Sequence, residues 1–362
     1  MSADADRTLP CAVCIPARNE ADRLPRLLAS LAEQDCIPLR SALRVVVLAN
    51  NCTDGTVAAI RALEASGALA PLALRLIEVR LAGAEAHVGT ARRMALDAGA
   101  EWLAADGVPD GVLLTTDADA RLPADWIGAN LRALEAADVV GGRLVIGDDG
   151  EADPALAALH ARIERYWAGV RRLEDILDPP PHDPAPRHGD HTGASLAVPV
   201  ALYQAVGGLP PLPCGEDNAL VGLLRARGAR LRHCPAVRVM VSSRNQGRVS
   251  GGMATEMARR ARVIGGEAYL LPEAAHWQAL ILRRAALRRA FHLQPPARAA
   301  ACARLGLGPD DLAAVGDCPN DIAFVERADQ ILEARAAPAR ECPLDRAIAD
   351  LDALALALRD AA

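Results

Sequence analysis

The chain has 362 residues, 51% of them apolar, and a net charge of −6. That is enough to bury a large core, and it argues against disorder. No run approaches the roughly 20 apolar residues of a membrane helix, the start at residues 1–7 lacks a hydrophobic signal core, and the acidic balance gives no reason to expect nucleic acid as a partner. The expected location is cytoplasmic. All 40 basic residues are arginine, which excludes any mechanism that requires a lysine. The nine cysteines show no disulfide framework, and Cys11 and Cys14 sit three apart in an apolar, strand-like run. They read as buried structural thiols rather than as a redox or zinc pair.

From the N-terminus, residues 12–15 read as a buried strand. Leu24, Leu27, Leu28 and Leu31 then fall on one stripe of an amphipathic helix. A second strand is expected at 44–48 and a helix at about 55–66. A third strand follows at 74–79, a helix at about 90–103, and a fourth strand at 113–116. Strands separated by helices of this length imply right-handed crossovers and a parallel sheet. The expected class is therefore α/β, a Rossmann-type nucleotide-binding domain with a mostly parallel central sheet.

Asp117 and Asp119 follow the fourth strand directly. In an open α/β sheet, ligands bind beyond the carboxyl ends of the strands. Two acids there suit a hard divalent cation, Mg²⁺ or Mn²⁺, which commonly brings substrate phosphates with it. The bland alternative is an Asp-x-Asp that merely ends a strand.

Further along, a helix is expected to about residue 137 and a strand at 139–146 that carries Gly141 and Gly142. A helix follows at about 154–177, then a Pro- and His-rich loop at 178–190 that excludes helix and central strand. Residues 193–199 read as strand, 201–206 as a short helix, 217–228 as a helix and 237–242 as strand. Beyond about 250 the pattern is helical to the C-terminus.

Four blocks together resemble the family 2 glycosyltransferases, inverting nucleotide-sugar enzymes of GT-A fold: residues 15–20, residues 50–56, the pair Asp117 and Asp119, and residues 215–217. The resemblance covers about residues 10–260. It implies a GT-A-like domain over 8–260, with a nucleotide-binding half at 8–140 and an acceptor half at 141–260, and a helical C-terminal extension over 261–362. It also implies transfer of a sugar from a nucleoside-diphosphate sugar to an acceptor hydroxyl, the acceptor being unknown and a lipid-linked one included.

The resemblance distributes the roles as follows. Pro16, Ala17, Arg18, Asn19 and Glu20 form a loop against the nucleoside diphosphate, although Asn19 equally suits a helix cap. Asn50 stands near the place where an acid often reads the base. Arg92 lies where an arginine approaches the diphosphate, and Arg93 adjoins it. Asp117 contacts metal or sugar and Asp119 ligates the metal. Asp217 is the general base beside Glu216, and both equally suit the first turn of a helix. Gly193, Ala194 and Ser195 line the acceptor pocket. Asp54 reads more readily as a cap than as a ligand contact.

His182, His188 and His191 read as solvated loop residues. His233, or a residue within 242–248, is a candidate for a further metal or phosphate contact, and Arg244 and Arg248 for closure over diphosphate. The basic helix at 281–291 either lies on an anionic membrane surface as a peripheral contact or packs on its own domain. Two rival readings stay open. Residues 315–321 look like a motif of haloacid-dehalogenase-type phosphatases, with Asp117 and Asp119 as the nucleophile pair, but that family relies on a lysine. A catalytically inactive sugar-nucleotide binding protein on the same fold is the other.

Overall fold

The computed structural model describes residues 10–37, 42–146, 153–241 and 253–360. In chain order the first elements are β1 (Cys11–Ala17), α1 (Leu24–Ala32), β2 (Leu43–Asn50), α2 (Thr56–Ser66), β3 (Leu72–Val79), α3 (Val88–Ala105) and β4 (Val112–Thr115). Next come α4 (Trp126–Leu134), β5 (Val139–Ile146), α5 (Pro154–Leu177), β6 (Leu196–Pro199), α6 (Val200–Ala205), α7 (Glu216–Ala226) and β7 (Leu231–Val241). The chain continues with α8 (Met253–Ile264), β8 (Leu270–Pro272), α9 (Ala274–Phe291), α10 (Pro295–Arg304) and α11 (Pro309–Val315). It closes with α12 (Asp321–Glu333), β9 (Glu341–Pro343) and α13 (Leu344–Asp360).

Two compact units result. The first comprises Met1–Asp149, Pro186–Val221 and Leu231–Thr255; the second comprises Gly150–Ala185, Gly222–Arg230 and Glu256–Ala362. The two units are interleaved along the chain. Helix α5 and the following loop fold with the C-terminal part of the chain.

The first unit is built on a seven-stranded sheet of order β3-β2-β1-β4-β6-β5-β7. β1, β2, β3 and β4 pair in parallel, β5 pairs with β7 in parallel, and β6 runs antiparallel to both β4 and β5. The mostly parallel α/β sheet expected from the strand and helix spacing is present. Strands β1 and β2 are buried along their whole length, as continuous apolar runs between helical layers should be. Leu24, Leu27, Leu28 and Leu31 of α1 all lie at 0% exposure in the same core.

Pro16 sits inside β1, opposite Leu48, rather than ending the strand. Cys14 O accepts from Thr116 N on the β4 side. By alternation Pro16 faces that side too, beyond the last β1–β4 pair, Cys14↔Thr115. Its missing N–H therefore removes no ladder bond. Cys11 and Cys14 are both fully buried, and burial raises the Cys11 thiol to about 12. The structural reading of that cysteine pair holds.

β7 is longer than the expected 237–242 and begins at Leu231. Its register against β5 slips between Gly142↔Cys234 and Arg143↔Arg238, so Pro235 falls in the irregular stretch of an edge strand.

The second unit has two cores of its own. Leu159, Ile163, Tyr166, Val170 and Leu173 of α5 form one helical stripe against Tyr269, Leu271, Ile281, Cys342, Leu344, Ile348 and Leu351. The other core gathers Leu287, Cys302, Leu307, Val315, Phe324 and Val325. β8 and β9 pair as a short antiparallel ribbon that the helical reading of this region had not anticipated. At three residues each, they are too short to show a period.

The basic helix lies within α9, and three of its four arginines are paired inside the unit. Arg283 and Arg284 bond Asp329, and Arg288 bonds Asp178 and Asp321. These pairs hold the helix against its own unit. Among the described residues, no helix is long and apolar enough to cross a membrane.

The phosphatase-like stretch also has a structural use. Asn320 caps α12, accepting from Ala323 N at 3.1 Å while its Nδ2 donates to Gly228 O at 2.8 Å. Asp321 pairs with Arg288, and Arg327 Nη1 donates to the carbonyls of Val315 and Asp317.

Candidate active site

Three loops leave the carboxyl ends of adjacent strands β2, β1 and β4. Strand order reverses at β1, with β2 and β3 on one side and β4 on the other. Such a reversal opens a crevice at the sheet's carboxyl edge, the usual ligand site of an open α/β fold.

The β1 and β2 loops are stapled together. Asn19 and Asn51 both adopt left-handed backbone, at φ 53° and 50°, a conformation that asparagine tolerates better than most residues. Asn19 Oδ1 accepts from Thr53 N at 2.8 Å, and Glu20 N donates to Thr56 Oγ1 at 2.8 Å. The Asn51 amide bonds both the N–H and the carbonyl of Leu81 at 2.9 Å, prolonging the β2–β3 ladder with a side chain. Asp54 accepts from Thr56 N at 3.0 Å and from Ala21 N at 3.2 Å. Desolvation would raise its pKa, but the Thr56 hydroxyl and these amides outweigh it and hold the carboxyl below its usual range. Asp54 is thus a capping and stapling residue, whereas Asn19 is not the cap of α1, whose N-cap position is Arg23.

Within this group Pro16, Ala17 and Glu20 are buried, and Arg18 is exposed with Nη1 donating to Ala86 O at 3.2 Å. Asn50, at the end of β2, is 2% exposed, and its Oδ1 is a buried acceptor with no hydrogen-bond partner. Thr116 Oγ1, at the end of β4, is in the same condition. Buried polar atoms are nearly always satisfied, so orphans at a sheet's carboxyl edge mark a place made for a polar ligand.

The second group centres on the acid pair. Thr116 N donates to Cys14 O, Ala120 N to Asp117 O at 3.1 Å, and Arg121 bridges Met240 through two 2.9 Å bonds. The turn that carries Asp117 and Asp119 is therefore fixed at both ends. Ala118 and Ala120 pack into the core, at 5% and 1% exposure, and both aspartates are half-buried.

Arg92 comes from α3 and is 3% exposed. Its Nη2 donates to Asp117 Oδ1 at 2.6 Å and its Nε to Glu216 Oε1 at 3.1 Å. Nη1 donates to Thr115 Oγ1 and to Gly193 O, both at 2.8 Å. Four of its five N–H donors are thereby taken by the protein. The guanidinium that the resemblance places near the diphosphate is thus buried, with most of its donors engaged by the protein. Burial alone would lower its pKa, but Asp117 and Glu216 more than offset that, and it stays charged. Burial pushes the Glu216 carboxyl above its usual range, and Arg92 offsets only part of this. Arg93 serves a similar structural end, donating to the Leu209 and Gly207 carbonyls.

Glu216 and Asp217 occupy the first turn of α7, where negative charge complements the helix dipole. Asp217 Oδ2 accepts from Gly193 N at 2.8 Å, and Oδ1 accepts from Asn218 N at 2.8 Å. The expected acceptor segment divides. Gly193 joins the cluster, whereas Ala194 and Ser195 lie in the core, with Ser195 at 0% exposure and its hydroxyl held by Trp126 Nε1 at 3.0 Å. Ser195 is thus a hydrogen-bond partner of Trp126 within the core.

The histidines are not simply solvated. His188 is buried and bonds Cys234 O at 3.2 Å, and His191 Nδ1 meets His233 Nε2 at 3.0 Å. Arg244, Arg248 and the rest of 242–248 lie outside the described residues. Thr115 and Thr116 were missed as site residues. Two hydroxyls at the end of an otherwise apolar strand were the available signal.

Among the described residues no group of three or more His, Cys, Asp or Glu side chains is placed to hold a metal ion. Asp117 Oδ2 has no partner among the described residues, and Asp119 stands on the same fixed turn. Mg²⁺ and its relatives are commonly held by one or two carboxylates with phosphate and water completing the shell. The donors present fit a cation that arrives with a diphosphate, not a protein cage.

A sheet reversal, orphaned acceptors at its carboxyl edge and a fixed acid pair come together in one α/β unit. Residues 12–180 match the family model described as Glycosyl transferase family 2. No curated protein matches the chain. Among solved structures it is distantly similar to a mannosyltransferase from Pyrobaculum calidifontis in complex with GDP-Man and Mn²⁺, at 18% identity over 93% of this chain and 90% of that one, TM-score 0.46. S. aureus TarS 1-349 in complex with UDP-GlcNAc matches at 15% identity over 90% and 91%, TM-score 0.46. M. tuberculosis glucosyl-3-phosphoglycerate synthase matches at 16% identity over 72% and 79%, TM-score 0.38.

Proposed function

We propose that this glycosyltransferase moves a sugar from a nucleoside-diphosphate sugar to an acceptor hydroxyl with inversion at the anomeric carbon. The observation that carries the reading is the convergence of Asp117 and Asp217 around Arg92 and Gly193 at the sheet's carboxyl edge, with Asp119 on the same fixed turn as Asp117. The stapled 16–20 and 50–56 loops bind the nucleotide, with the orphaned Asn50 Oδ1 among the acceptors available to it. Asp117 and Asp119 would hold Mg²⁺ or Mn²⁺, whose chemistry there is neutralisation of charge on the departing diphosphate.

In this reading Asp217 acts as the general base. It takes the acceptor hydroxyl's proton as the acceptor oxygen bonds to the anomeric carbon, and the bond from that carbon to the diphosphate oxygen breaks with its electron pair leaving on the phosphate. Glu216 is bound to Arg92 and supports the base rather than reaching the acceptor.

The test is turnover of a panel of UDP-, GDP- and dTDP-sugars with Mn²⁺ and a mixture of hydroxyl acceptors. At least one donor should release nucleoside diphosphate only when an acceptor is present, and EDTA should suppress the release. Tight donor binding without turnover on any acceptor favours the inactive binding protein, and hydrolysis of a generic phosphomonoester favours the phosphatase.

A further inference from the structure

Gly193 is the point at which the acid turn and the α7 turn are tied together. Its amide donates to Asp217 Oδ2 and its carbonyl accepts from Arg92 Nη1, each at 2.8 Å. Its bare Cα seats the guanidinium, since a Cβ at 193 would come within 2.6 Å of Arg92 Nε and 2.7 Å of Nη2. Arg92 in turn grips Asp117 at 2.6 Å and Glu216 at 3.1 Å. One buried side chain thus touches the carboxylate next to the proposed cation, the neighbour of the proposed base, and the peptide that holds that base. A guanidinium is planar and rigid, so four occupied donors fix their acceptors relative to one another. At 3% exposure it acts through these groups and not on substrate.

We infer that Arg92, seated on Gly193, is a positioning residue that sets the placement of Asp117 relative to Asp217. The carboxylate on the donor side and the carboxylate on the acceptor side are thereby aligned across the reacting carbon. This rests on the glycosyl transfer proposed above. Lysine cannot replace the arginine, because its donors radiate from a single atom and cannot reach acceptors spread around a plane.

The test compares Arg92→Lys and Gly193→Ala, the second displacing the guanidinium without changing any charge. Hydrogen exchange in peptides spanning 190–196 and 214–220 should quicken by about tenfold or more, while 11–17 and 43–50 keep their protection. Turnover per folded molecule should fall about a hundredfold, the scale of a misplacement near 1 Å, with donor KM within about threefold. Unchanged exchange in 190–196 and 214–220 in the folded variants overturns the inference. So does faster exchange throughout 11–17 and 43–50, which would make Arg92 a general stability element. If the wild-type protein transfers no sugar, the functional reading fails alone, and the exchange pattern still decides whether Arg92 holds the Gly193–Asp217 joint.

Discussion

Replacing Asp217 by asparagine is expected to lower transfer turnover by about a thousandfold or more, within the range that general base catalysis supplies. Nucleoside diphosphate binding should stay within about threefold, because the groups assigned to the nucleotide lie on the other loops. The amide retains one acceptor for Gly193 N, so the link at 2.8 Å between α7 and residue 193 survives, while the acceptor for Asn218 N and the capacity to take a proton are lost. Steady-state kinetics beside calorimetric binding gives both quantities. Turnover above about a tenth of wild type would remove Asp217 from the mechanism.

The largest stability effect falls on Trp126. It is fully buried, sits among the core residues of the first unit, and its Nε1 donates to Ser195 Oγ at 3.0 Å. Trp126→Ala opens a cavity worth about 3–5 kcal/mol and leaves the Ser195 hydroxyl unpaired. For a unit of this size that corresponds to a melting temperature lower by about 10 °C. Trp126→Phe keeps most of the volume and loses mainly the hydrogen bond, costing about 1–2 kcal/mol. The milder variant also tests where Ser195 belongs. A core role lowers Tm and leaves acceptor KM unchanged, whereas a pocket role moves acceptor KM.

The parts of the fold that could be read in advance are those with a strong local period. The α1 stripe at Leu24, Leu27, Leu28 and Leu31 and the apolar runs of β1, β2 and β4 appear where their spacing places them. The first half of β7 escaped because Arg232, His233 and Pro235 interrupt any alternation, and only its edge position and register slip make room for them. The two-unit division escaped for another reason. The α5 stripe identifies a buried face but not its partners, and these lie at 269–351.

The site divides in the same way. Asp117, Asp119 and Asp217 stood out because acids at the ends of apolar runs and at helix starts are conspicuous in sequence. The use of Arg92 could not be foreseen, since its Glu216 partner is 124 residues away. An arginine near the start of a helix looks the same whether it meets solvent, phosphate or buried acids. The α9 arginines show the same ambiguity, resolved by Asp178, Asp321 and Asp329 from distant segments.

In the proposed function the acid turn after β4 holds nucleoside diphosphate through a divalent cation. The most direct test is calorimetric titration of UDP and GDP into the protein with Mn²⁺ and with EDTA, repeated on Asp119→Ala. At least one of the two nucleotides should bind the wild-type protein with Mn²⁺, and affinity should drop by about thirtyfold or more both in EDTA and in the variant. Equal affinity with and without the metal, or a variant that binds as the wild type does, would contradict the claim.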